Sequence, residues 1–250
     1  INAYTHDEKG AQGTLTRLIA HIHDVFAERG VQIMTPNYMA DPAVGWSFRL
    51  DPAGGGALAD IGSHALATAE FLLGPIARVM GDRATVVRER RLPDGSVRRV
   101  EVDDIGRAFL RFACGASGSL EASWVATGRT MQHDFEVYGA RGAIAFTQER
   151  LNELRFFSAG DPAGRRGFRR IEASPAHAPY GLFCVAPGHQ IGFNDLKAIE
   201  IAGFLDALAG RGPEPFGFAA GARVQALVEA VAGSAQDAAP TPMTTGGLQQ

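Results

Sequence analysis

Asp60 and His64 stand four residues apart in the stretch LADIGSHALATAEFLL, and a carboxylate with an imidazole at that spacing is well suited to moving a proton. Histidine is the side chain whose unperturbed pKa lies nearest neutrality, so it takes up a proton and returns it under working conditions. A carboxylate one helical turn away raises that pKa, fixes the ring and accepts a hydrogen bond from a hydroxyl. Such a pair suits polyol chemistry. When a hydride leaves a carbinol carbon its hydroxyl proton must leave in step, and an acid and a histidine can divide the base and orienting roles. The same spacing also fits a salt-linked pair on a helix surface, so the motif by itself leaves both readings open.

The surrounding residues must hold the pair in place. Gly54, Gly55 and Gly56 let the chain turn tightly into a helix that starts near Ala57. Leu58, Ile61, Leu66, Ala69, Leu72 and Leu73 give that helix an apolar face, and Gly74-Pro75 stops it. Asp60 and His64 then project from one side. Gly62 between them costs about 1 kcal/mol of helix stability, which predicts the close approach of another element. Upstream, residues 1–4 read as a strand and 14–26 as an amphipathic helix. His21, His23 and Asp24 spell H-x-H-D, which on a strand offers two imidazoles to zinc; the helical period favours a surface or packing role. Residues 31–39 suit an extended segment that Asp41-Pro42 ends.

After Pro75 the period changes to two. Strands are expected over 84–88, 99–102, 106–112, 118–125, 134–138 and 143–146, with 154–157 as one more, and their short links predict antiparallel pairing. Residues 159–192 read as a loop whose arginines, Arg165, Arg166, Arg169 and Arg170, are solvated. Helices follow over 195–208 and 221–235, and 237–250 is expected to be a flexible tail.

The 250 residues are 46% hydrophobic and 20% charged, an ordinary soluble globular composition. A net charge of -3 gives no electrostatic reason to expect nucleic acid or an anionic membrane as partner. Cys114 and Cys184 allow one bridge at most and sit in small or apolar surroundings, so both are expected to be packed thiols. With no leader and no apolar span, a cytoplasmic location is expected. No G-x-G-x-x-G joins a strand to a helix, so a nucleotide-binding unit cannot be placed. The chain begins at Ile1 without a methionine, which suggests a fragment or a processed product.

GGGALADIGSHALATAEFLLG resembles the C-terminal domain of the glucose-fructose oxidoreductase and inositol dehydrogenase superfamily (Gfo/Idh/MocA type). The similarity continues, in order, through NYMADP, WSFR, FEVYGARGAIAFTQERLNEL, PGHQIGFNDLKAIEI and GARVQALVEAVAGSA. The resemblance implies a two-domain oxidoreductase, in which a Rossmann domain holds NAD or NADP and an α+β domain carries the substrate site. That second domain has an open, largely antiparallel sheet with helices on one face. It implies that Asp60 and His64 lie at the nicotinamide end, beside a lysine from an E-K-P motif of the nucleotide domain. Glu8-Lys9 is followed by Gly10, so that lysine has no match here. The family often has an acid three residues after the histidine, where this chain has Ala67.

On this reading residues 1–10 are the remnant of the last Rossmann strand and a linker, 11–236 the substrate and oligomerisation domain, and 237–250 the tail. The expected parent is a sugar, inositol or polyol dehydrogenase that assembles as a homodimer or homotetramer through the sheet, with His64 as acid/base and Asp60 orienting it; the fragment alone is expected to be inactive. Tyr38, Arg49, His189 and Asn194 are further candidates for the substrate pocket; Trp46 could join them, though a tryptophan there is more often simply core. No metal is expected. The alternatives are a non-catalytic sugar- or nucleotide-binding regulatory protein of the same fold, and a metal hydrolase using His21, His23, Asp60 or His64.

Overall fold

Two glycines decide how the chain enters the helix that carries Asp60. In the computed structural model, which describes residues 55–91, 94–129, 131–213 and 216–237, Gly55 has φ +72°, and a Cβ there would lie 2.4 Å from the Ala59 Cβ. A Cβ on Gly56 would lie 2.4 Å from the Asp103 carbonyl oxygen. The expectations placed on residues 1–54, among them Tyr38, Arg49, His21 and His23, and on 238–250 fall outside the described residues.

The close approach at Gly56 serves the helix start. The Ala57 N–H donates to the Asp103 carbonyl at 2.9 Å and the Leu58 N–H to its carboxylate at 2.8 Å. Donors that a helix start leaves without partners are thus satisfied by an acid just before β4, itself only 7% exposed. The expected single helix from Ala57 is in fact two pieces: a π-helical turn over Leu58–Gly62, then α1 over Ser63–Leu73. Gly62 meets the close approach its sequence cost predicted, because a Cβ there would sit 3.3 Å from the Ala122 Cβ and 3.1 Å from Leu58 Cδ1. Gly74, at φ +81°, ends α1 with its N–H on the Glu70 carbonyl.

The strands are β1 (Ile76–Ala84), β2 (Glu89–Arg91), β3 (Val97–Arg99), β4 (Ile105–Phe112), β5 (Ser117–Ser123), β6 (Asp134–Gly139), β7 (Gly142–Thr147), β8 (Glu153–Ser158) and β9 (Arg169–Glu172). All pairings are antiparallel, in a β1-β4-β5 sheet, a β2-β3 hairpin and a β6-β7-β8-β9 sheet. Val79 faces Leu110, Ala108 faces Leu120 and Phe135 faces Phe146 across the ladders. The remaining α-helices of the described residues are α2 (Phe193–Leu208) and α3 (Phe218–Asp237). This is the α+β architecture the resemblance implied, with the open sheet divided among separate ladders in the described residues.

The core lies where α1 and α3 cover one face of the β1-β4-β5 sheet. Ala108, Leu110 and Phe112 point inward at alternate positions of β4 and meet Leu58, Leu66, Leu227, Val228 and Val231. Leu58 fills the gap that Gly106 leaves, since a Cβ on Gly106 would lie 2.7 Å from the Leu58 Cβ. No residue of α2 is buried.

Four expectations need correction. The first strand lies at 76–84 rather than 84–88: Gly81 interrupts the sequence alternation because the Val231 carbonyl of α3 packs against it, 2.2 Å from where a Cβ would be. Residues 85–88 are tied elsewhere, with the Val86 and Val87 N–H groups donating to the buried Asp104 carboxylate at 2.9 and 2.7 Å. The strand expected over 99–102 ends at Arg99, and Val100 and Val102 instead form a small cluster with Trp124. Arg169 and Arg170, read as loop, belong to β9, an edge strand exposed at every residue and therefore without an alternating signal. Both cysteines are free, but only Cys184 is buried; Cys114 is exposed.

Candidate active site

Asp60 sits in the π-helical turn and His64 in the first turn of α1, both exposed. The indole N–H of Trp124, one residue beyond β5, donates to Asp60 Oδ2 at 3.0 Å. The Ser63 hydroxyl donates to the Asp60 carbonyl at 2.8 Å, which secures the backbone beneath that carboxylate. Trp124 is itself fixed: its ring packs on Val100 and Val102, and its backbone N–H donates to the Asp104 carbonyl at 2.9 Å.

No hydrogen bond joins the His64 ring to Asp60, so the orienting contact suggested by the spacing is replaced by a different arrangement. Thr68, one turn further along α1, lies 3.0 Å from His133 Nε2 through its hydroxyl. His133 precedes β6 and is half-buried. Its pKa is held below the ordinary 6.5, first by burial and then by the neighbouring charge of His64, with Asp134 opposing. Asp60, His64 and Thr68 thus recur at steps of four along one side of a helix. The outer two are tethered from the two ends of the β5–β6 connection, and the imidazole stands between them.

The arrangement has chemical consequences. One oxygen of Asp60 is occupied by the indole, while Oδ1 has no hydrogen-bond partner among the described residues. It is an acceptor suited to a hydroxyl-bearing ligand. His64, exposed and with no side-chain hydrogen bond among the described residues, can take a proton from such a ligand.

His189 and Asn194 are exposed and make no described side-chain bond to this stripe. The His189 N–H donates to the Ala186 carbonyl at 3.1 Å. The loop of His189, which leads into α2 and Asn194, is clamped by Asn152, whose amide donates to the Ile191 carbonyl and accepts from the Ile191 N–H, both at 2.8 Å. Asn152 lies between β7 and β8, at the sheet end where the Gln148 N–H donates to the His133 carbonyl. The loop is therefore anchored at the same end of the four-stranded sheet as His133.

Trp124, Thr68, His133 and Asn152 were not singled out by the sequence reading. The available signal was polar chemistry: a half-buried indole N–H needs an acceptor, and a turn asparagine offers paired donor and acceptor. An open cleft of about 530 Å³ lies elsewhere, against β6 to β8, lined by Glu136, Thr147, Arg150, Glu153 and Arg155. It contains neither Asp60 nor His64; within it Arg150 and Glu153 form a 3.5 Å pair. Among the described residues no group of three or more His, Cys, Asp or Glu is placed to hold a metal ion. No helix among them is long and apolar enough to cross a membrane.

Comparison with known proteins bears on the family and the fold. Levoglucosan dehydrogenase of Pseudarthrobacter phenanthrenivorans is 38% identical over 216 residues, covering 80% of this chain and 55% of that protein. A crystal structure of an NAD binding oxidoreductase from Klebsiella pneumoniae matches with a TM-score of 0.73 at 33% identity, over 80% of this chain and 54% of its own. A structure of levoglucosan dehydrogenase in complex with NADH and levoglucosan matches with a TM-score of 0.71 at 39% identity, over 79% of this chain and 53% of its own. The chain thus spans about half the length of these relatives. The model of the GFO/IDH/MocA C-terminal domain matches residues 8–145, more than half the chain. On that match, and on the shared fold, the chain belongs to the Gfo/Idh/MocA family.

Proposed function

We propose that this chain is the substrate half of an NAD-dependent dehydrogenase acting on a sugar or related polyol. The observation that carries the proposal is the exposed stripe of Asp60 and His64 on a helix locked to the sheet by Asp103, in a chain whose relatives include a sugar dehydrogenase with NADH bound. NAD is favoured over NADP because the relatives' structures hold NADH.

In this account Asp60 Oδ1 accepts a hydrogen bond from one substrate hydroxyl, and His64 takes the proton of the hydroxyl on the reacting carbon. When bound, NAD supplies the acceptor for the hydride that leaves that carbon. The described residues offer no glycine-rich phosphate cradle, so the dinucleotide and the E-K-P lysine are assigned to a nucleotide domain outside this chain. Residues 11–236 are then the substrate domain, flanked by the 1–10 remnant and the 237–250 tail. Tyr38, Arg49, His189 and Asn194 are proposed to line the sugar pocket, the last two because Asn152 anchors their loop near His133.

The uncovered face of the β1-β4-β5 sheet presents Met80 and Phe109, 55% and 65% exposed, among Arg78, Arg107 and Arg111. It is proposed to pair with a second copy as a homodimer or homotetramer. Two free cysteines suit a reducing, cytoplasmic setting. The test is to supply the intact protein with NAD and a panel of sugars and polyols, levoglucosan and inositol included, and follow nicotinamide reduction. Turnover of at least one is expected; binding of NAD and sugar with no turnover would favour the regulatory alternative and overturn the proposal.

A further inference from the structure

The connection between β5 and β6 begins at Trp124 and ends at His133, and each end reaches back to the same helix side. Trp124 bonds to Asp60 across 64 residues of sequence and His133 to Thr68 across 65. His64 lies midway between the two tethered residues. The connection is built to double back rather than to run on as a strand, with Gly128 at φ +92° and Met131 at φ 51°. Its outer edge is pinned by the Arg129–Glu149 ion pair at 3.1 Å and by the Gln132 amide on Asp134 at 2.7 Å.

We propose that Trp124 and His133 are positioning residues that hold Asp60 and Thr68 at fixed rotamers on either side of His64, so that the imidazole faces substrate between two ordered polar groups. The proposal rests on the reading of His64 as proton acceptor. An alternative is that both contacts simply close the fold. Asp60 is exposed, however, and an exposed hydrogen bond adds little net stability because water competes for both partners. What it does fix is the direction of the carboxylate. His133 is suited to the same task, since burial and the nearby His64 charge keep its ring neutral and able to share the Thr68 hydroxyl.

The first test needs no substrate. In the ¹⁵N spectrum of the intact protein, the indole N–H resonance lost in Trp124→Phe is identified, and Asp60→Asn is expected to shift it; an unshifted resonance overturns the proposal whatever the assays give. A wild-type protein inert toward every sugar would overturn the dehydrogenase reading and leave this resonance test standing. In the active protein, Trp124→Phe is expected to lower kcat about tenfold, the size expected for one hydrogen bond to a charged group. KM should change by less than about threefold, and in an Asp60→Asn background the further loss should be at most about twofold. His133→Ala is expected to show a similar loss, restored by His133→Gln, which keeps a polar atom near Thr68. Fully additive losses in the double variant overturn the proposal.

Discussion

Gly56 is as necessary to the site as the residues that face solvent, because only a hydrogen there lets the Asp103 carbonyl and carboxylate come close enough to hold the helix start. Gly56→Ala should therefore cost about 1–3 kcal/mol through overpacking, seen as a lowered Tm in thermal unfolding. His133 gives a pH prediction with a definite sign. Its folded pKa lies below 6.5, so the unfolded chain binds the proton first as pH falls. The contribution is complete above 6.5 and declines as pH drops from there through the folded value. Denaturant midpoints should fall over that range, and His133→Gln should remove this component. Asp60 and His64 were legible in the sequence because residue type and a spacing of four are local information. Trp124 and His133 were not, because their partners lie 64 and 65 residues away and only the strand pairing brings them together.

At the scale of elements, the π-helical turn, α1 and β4 act as one unit, joined by Leu58, which is 1% exposed and seated over Gly106. Leu58→Ala should cost about 2–5 kcal/mol in denaturant unfolding through the cavity it leaves. It should also weaken any sugar binding, since the turn beneath it carries Asp60. The helix periods of 57–73, 195–208 and 221–235 located the three α-helices of the described residues. The π-turn escaped notice, and the acid that caps its start, Asp103 just before β4, lies 45 residues away and so is not local. Strand existence was legible wherever one face is buried, as in β4, and failed where that contrast is absent, as in β9. At β1 the obstacle was a glycine that sequence logic reads as a breaker and the structure uses as a seat for α3. The apolar spacing of 195–208 predicted a buried face that α2 does not have among the described residues.

For the whole molecule, family membership was readable because several separated motifs keep their order, a pattern that chance spacing does not reproduce. Assembly is the prediction that belongs here. If the sheet face carrying Met80 and Phe109 joins two copies, Phe109→Glu should lower the mass found by light scattering, whereas an unchanged mass would place the interface elsewhere. The chain spans about half of its relatives' length, and in the proposed function His64 is the residue on which the substrate side of the site depends. The most direct measurement is the single-turnover rate of NAD reduction by a turned-over sugar in the intact protein, compared with His64→Asn. The account predicts a loss of about 10²–10⁴-fold with sugar binding retained, the range expected for removing a general base. An unchanged rate in His64→Asn would contradict it.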